Sequence, residues 1–302
     1  MTSAGRGRAP ISGRGLFGLL LLAFLLGVAL LTPLLSPHDP FESSFTQSRL
    51  PPAWVKSGVE SGQDEFPLGT DRFGRDVLSR LIHGTRTSVA LALASVTLVA
   101  VIGTLAGLAA GYLGGAADAL LSYLFDTVQA VPGIMFMVMV ILILRDKLAP
   151  TWSNGVLTLV VGFATVGWVG LARVIRVTTQ QLKVREFVEA ARSLGGSPWH
   201  ILTRHLLPNV AHLIVVWIIA NIPAVILMEA LLGYVGIGVT RGVDGDEFGV
   251  ISWGGLIFSG RPLLNFNPTL VLGPTLGILL MTLGVILLAD HLEARYRRAD
   301  EG

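Results

Sequence analysis

The chain has 302 residues, 52% of them hydrophobic and only 14% charged, whereas soluble domains average about a quarter charged residues. The charges cluster between apolar stretches too long for a globular core, which excludes a soluble enzyme. Six Trp and 13 Phe argue against disorder; the formal net charge of +2 says little for a chain that sorts charge by side; and zero cysteines exclude disulfides, thiolate metal sites and cysteine nucleophiles.

The first apolar run, residues 16–35, holds 20 residues without an ionisable group, enough to cross a hydrocarbon core of about 30 Å. Arg6, Arg8 and Arg14 precede it, but no A-x-A cleavage site follows and the run is too long for a signal-peptide core, so an uncleaved anchor is expected. Five further spans are expected at residues 88–111, 119–144, 156–175, 210–232 and 269–289. Pro132, Pro223 and Pro274 fall inside spans, which implies kinks satisfied by neighbouring helices in a packed bundle. Gly103, Gly107 and Gly111 recur at helical spacing and permit close backbone approach. Trp152 and Trp168 near span ends read as an interfacial belt. The expected fold is an all-α membrane protein of six spans.

Lys and Arg give the orientation. With the N-terminus inside, twelve basic residues lie in the short inner segments, among them Arg173, Arg176, Lys183, Arg185, Arg192 and Arg204. The other ten are spread over longer outer loops that also carry eleven acids. Density near span ends therefore favours both termini on the cytoplasmic side. This divides the chain into an inner tail (1–15), an anchor with a long outer loop (16–87), a five-span domain (88–290) and a second inner tail (291–302).

In the outer loop, Pro37, Pro40, Pro51 and Pro52 keep the first part non-helical. A short helix is expected from Arg75, with Val77, Leu78, Leu81 and Ile82 on one face and Gly84 ending it. Asp76 and Arg80 stand four apart in the favourable order, and the segment reads as an interfacial anchor.

The inner loop before the fifth span carries the sharpest pattern. Phe187, Ala190, Ala191 and Leu194 fall at i, i+3, i+4 and i+7, with Glu186, Glu189 and Arg192 opposite. Gly195-Gly196 stops that helix, Ser197-Pro198 starts another, and Pro208 is expected to end the second near Leu207. An apolar strip with two alanines suits a shallow groove on another protein; it equally suits a lipid surface, helped by the nearby basic residues.

Glu189-Ala190-Ala191, three residues, Gly195, then Leu207-Pro208 resembles the EAA loop of permease subunits in binding-protein-dependent ABC importers. The chain departs at His205, where isoleucine is usual. The stretch Arg204-His205-Leu206-Leu207-Pro208-Asn209 is similar to the dipeptide/oligopeptide/nickel branch, as is Gly69-Thr70-Asp71-Arg72-Phe73-Gly74-Arg75-Asp76 before the second span. Asp126 with Ala130-Val131-Pro132, Gly167-Trp168 with Ala172-Arg173, and Glu229-Ala230 with Gly233, Gly236 and Gly238 resemble the third, fourth and fifth spans of that branch. The acidic stretch at 243–247 is unlike it.

The resemblance implies a type I importer permease of the C-type, forming half of a pore with a homologous B-type permease. It implies two ATPase subunits docked on the loop at 186–208, an extracytoplasmic substrate-binding protein, and a bacterial inner-membrane location. The implied cargo is a di- or oligopeptide, or a related small solute such as nickel. The implied ATPase-coupling residues are Glu186, Phe187, Glu189, Ala190, Ala191, Leu194, Gly195, His205, Leu207 and Pro208.

The residues themselves offer no G-x-x-x-x-G-K-[ST] loop, so ATP and its Mg are expected on partner subunits and no cofactor or catalytic residue in this chain. Six scattered histidines give no metal-ligand spacing, and no nucleic-acid partner is expected. Asp126 and Glu229 are carboxylates inside spans, where an ionised group costs at least about 2.5–3.5 kcal/mol, so each is a candidate for the translocation path or a gate; the alternative is a structural hydrogen bond to a neighbouring helix or, for Glu229, a position near the outer interface. A competing class, the ion-gradient-driven secondary transporter, would show repeated halves around a midplane ion site, and none is visible between spans 1–3 and 4–6.

Overall fold

The structure, a computed structural model, describes residues 13–56, 61–147, 152–239 and 250–300. The first inner tail up to residue 12, the acidic stretch at 243–247 and the side chain of Trp152 lie outside the described residues. Among the described residues the chain is helical apart from loops and one isolated bridge between Thr70 and Asp76. In chain order the α-helices are α1 (Gly13–Leu30), α2 (Thr32–Leu35), α3 (Val77–Leu113), α4 (Gly115–Ala130), α5 (Gly133–Lys147), α6 (Trp152–Leu182), α7 (Glu186–Ser193), α8 (Pro198–Ile201), α9 (Leu207–Val235), α10 (Trp253–Gly260) and α11 (Thr269–Asp300).

Five helices are long and apolar enough to cross a membrane, and α4 with α5 passes the same test only as a pair bent by 87°, the geometry of a broken span or a re-entrant loop. The bend is far sharper than a proline kink within one helix. Val131 is extended at φ −90°, ψ 135°, as the residue before Pro132 is driven to be, and the ladder ends there. Pro223 and Pro274, by contrast, sit inside continuous helices.

α3 is the central post and packs against α1, α4, α6, α9, α10 and α11. Its closest neighbour is α6, and the glycine stripe explains why. A Cβ on Gly107 would stand 2.5 Å from Ala172 O, and one on Gly111 would stand 2.7 Å from Arg176 O. The backbones touch there, as the spacing of small residues predicts. Trp168 does not belong to an interfacial belt: its ring meets Phe125 edge-on at 5.4 Å and its indole N–H bonds Thr165 O.

Two expected helix ends also fail, for identifiable reasons. Gly84 does not end a short helix; α3 runs 37 residues through it. The glycine fits instead under Leu256 and Trp253, whose atoms lie 3.2–3.3 Å from where its Cβ would be. The start of α3 is therefore packed inside protein rather than lying on an interface. Asp76 caps the helix, accepting N–H bonds from Leu78 and Ser79 at 3.2 and 3.0 Å. Arg80, 2% exposed, reaches back to Pro40 O at 3.0 Å and towards Asp71 at 3.7 Å.

Pro208, likewise, does not end the second loop helix. A π-helical turn at Leu202–Leu206 joins α8 to α9 without a break, and this wider turn takes up the missing N–H and the ring. Residues 198–235 are one continuous rod.

Candidate functional site

The loop after α6 is held to the bundle by Val188, which is fully buried with Leu171, Ile175, Ile201, Leu206 and Val210. Anchoring α7 through Val188 turns three residues of the expected strip towards solvent, while the fourth, Ala191, packs half-buried against the same cluster as Val188. Phe187 is 40% and Leu194 89% exposed, and Ala190 is exposed beside them. Leu194 caps α7, Gly195 follows at φ +82°, and Gly196 N–H returns to Ala191 O at 3.0 Å. Ser197 Oγ then accepts the His200 N–H at 3.2 Å and starts α8 with Pro198 in its first turn. His205 sits between the two helices, its ring 6.3 Å from Phe187 and 5.6 Å from His200. A hollow of about 700 Å³ opens beside Leu182, Val184, Arg185, Glu186 and Phe187. The loop thus presents Phe187 and Ala190 on α7 and Leu194 at its C-cap, while Leu207 and Pro208 form the root of α9.

Glu229 lies near the opposite end of α9 and is wholly enclosed. Ser252 Oγ donates to its Oε1 at 2.7 Å, Ser88 Oγ donates to its Oε2 at 3.2 Å, and Gly254 N–H donates at 3.3 Å. Ser252 is the N-cap of α10, and Ser88 Oγ in turn accepts the Trp253 N–H at 3.0 Å. The carboxylate therefore closes the N-terminus of α10, where unpaired N–H groups and the helix dipole favour an anion. It ties α9 to α3 and α10 at once. Glycine is required at 254, since a Cβ there would stand 2.6 Å from Glu229 O.

Asp126 is placed quite differently. Its side chain is 71% exposed and accepts one hydrogen bond from Arg173 Nη2 at 2.7 Å, the arginine being 45% exposed. Further along the same two helices Arg176 Nη2 donates to Asp118 at 2.8 Å and Gln180 adds a bond at 3.1 Å. Lys183 then donates to Gly111 O at 2.9 Å. The structure brings the loop residues together at one end of the bundle and sets Asp126 and Glu229 apart from them and from each other.

Val188, Ser252, Ser88 and the Asp118–Arg176 pair escape sequence reasoning. Val188 is one valine among many, and nothing local marks it as the buried one. Ser88 and Ser252 are 164 positions apart, so only folding makes them neighbours. Asp118 and Arg176 carry a signal in hindsight, as opposite charges at the matching ends of two antiparallel spans.

Comparison with known proteins bears directly on this arrangement. The family described as "Binding-protein-dependent transport system inner membrane component" matches residues 103–298, and the "N-terminal TM domain of oligopeptide transport permease C" matches 14–52. The chain belongs to this permease family. A glutathione transport system permease of Pectobacterium atrosepticum is 34% identical over 92% of this chain and 83% of its own length. A dipeptide transport system permease of Lactococcus lactis is 32% identical over 87% of this chain and 73% of its own. An oligopeptide transport system permease of Bacillus subtilis is 27% identical over 91% and 82%. Among solved structures, inward-facing MetNI methionine ABC transporter matches with a TM-score of 0.54 at 20% identity, over 72% of this chain and 97% of that one. The fold is that of a type I ABC importer permease, and the permease is a multi-pass membrane protein.

Proposed function

We propose that the chain is the C-type permease subunit of an ATP-driven peptide importer, paired with a B-type permease, two ABC ATPases and an extracytoplasmic binding protein. The carrying observation is the solvent-directed strip Phe187, Ala190 and Leu194 on α7, with Val188 fixing that helix to the bundle. An exposed apolar strip on a helix anchored to the bundle suits a groove on a folded partner. In this reading residues 186–208 couple the pore to ATP hydrolysis, Asp126 belongs to the translocation path, and Glu229 acts on a gate by holding α10 against α3 and α9. ATP and Mg bind the partners; the permease itself catalyses nothing. The names of the dipeptide, oligopeptide and glutathione relatives support peptides as cargo. Both termini are cytoplasmic in a bacterial inner membrane.

The test is coupling in the assembled complex. Gly195→Val forces a β-branched residue into φ +82° and tilts α7 from α8; Leu194→Glu puts a charge on the strip. Both should assemble yet lose substrate-stimulated ATP hydrolysis and peptide uptake; unchanged hydrolysis and uptake would refute the docking role. Labelling of a cysteine at Ser193 by an impermeant reagent from outside intact cells would reverse the orientation.

A further inference from the structure

In the Asp126–Arg173 pair two opposite ions stand together on the outside of an apolar stretch. Asp126 lies eleven residues from the start of α4 at Gly115, about 16 Å along the helix, and Arg173 nine residues from the end of α6 at Leu182, about 14 Å. Both helices qualify as spans or half-spans by length and hydropathy. The neighbouring surface is mixed: Thr127 and Gln129 of α4 and Gly170 of α6 are exposed, the last with nothing within 4 Å of its missing Cβ, beside exposed Tyr123, Leu124, Val174 and Val177. The outer surfaces of α1 and α11 are more uniformly apolar. They show Leu20, Phe24, Leu272, Leu276 and Leu279, each at least 56% exposed. Leucine and phenylalanine suit hydrocarbon; a carboxylate and a guanidinium do not.

Geometry also favours water over a covering protein. The pair shares one hydrogen bond and both side chains are exposed, so the remaining guanidinium donors and carboxylate lone pairs need partners from the surroundings. A dry protein interface would have to supply all of them. We infer that the α4–α6 face is a wall of the water-filled translocation path, and that Asp126 and Arg173 form a neutral rung in it. The opposite charges cancel over the distance of a solute, so a zwitterionic, anionic or cationic peptide meets no net charge there. The inference rests on the permease reading and adds the wall, Arg173 and the charge rule to it.

Two measurements in the complete importer decide it. The chain has no cysteine, so Gln129→Cys and Gly170→Cys can be labelled without background. Labelling by a charged, water-soluble thiol reagent supports the wall. Reaction only with a membrane-soluble reagent, or with neither, overturns it in favour of lipid or a protein interface. The rung is read from uptake of anionic and cationic peptides of equal length. Asp126→Asn should raise the anionic-to-cationic uptake ratio about threefold or more, and Arg173→Gln should lower it as much, since net charge attracts its opposite into a narrow path. The double variant and the swap Asp126→Arg/Arg173→Asp should return near the original ratio. Equal effects on both peptides, or no recovery in either combined variant, overturn the rung. Should Arg173→Gln fail to assemble, the swap and the two cysteines still decide. Wild-type complex without ATP-dependent uptake would instead refute the permease reading itself, whatever the labelling shows.

Discussion

Two carboxylates in two spans lead opposite lives. Glu229 is enclosed, accepts bonds from two serine hydroxyls and a backbone N–H, and caps a helix. Asp126 is largely exposed and holds a single arginine. In sequence they look alike, each a lone acid in an apolar run. An acid in a span is tolerated either by complete hydrogen bonding inside protein or by a wet surface, and the two sites use one solution each. The first should therefore dominate stability and the second transport.

The sharpest test of that contrast is Glu229→Ala. It leaves two hydroxyls and the Gly254 N–H without their acceptor, and should lower stability by about 3 kcal/mol or more. A thermal unfolding scan of the purified complex in detergent should show it as a marked drop in Tm; Glu229→Gln, which keeps one acceptor oxygen, should lose about half as much. Gly254→Val follows, expected to cost about 2–3 kcal/mol in the same scan because its side chain would push α9 from α10. Ser252→Ala removes the α10 N-cap and one bond to Glu229, for about 1–2 kcal/mol. Asp126→Asn comes last: an exposed pair contributes about 0–1 kcal/mol, so Tm should barely move while peptide uptake changes. A larger Tm loss from Asp126→Asn than from Ser252→Ala would erase the contrast.

The spans, the glycine stripe on α3 and the two-helix loop were legible because each depends on local patterns. Apolar length identifies a span, i+4 glycines identify a close contact, and Gly195-Gly196-Ser197-Pro198 writes a stop followed by a start. Legibility ended where a local signal met tertiary packing. Gly84 reads as a helix end, yet Leu256 and Trp253 occupy the space it leaves and the helix goes on. Pro208 reads as a stop, yet a π turn absorbs it. The strip on α7 is written in the sequence, but its exposure is not: Val188, just beside it, takes the buried position against α6 and α9, and draws Ala191 of the strip half-buried with it.

By itself, then, the sequence determined the long apolar helices, their order, the loop that bears the family pattern and the presence of two acids within apolar runs. These follow from hydrophobic length and backbone preference, which act over a few residues. Only the tertiary structure decided which acid is sealed and which is open. Ser88 and Ser252 approach Glu229 from helices far apart in the chain, whereas Arg173 alone meets Asp126 on a surface. A carboxylate's environment is set by the neighbours that folding brings to it, because solvation and hydrogen bonding act through space rather than along the chain.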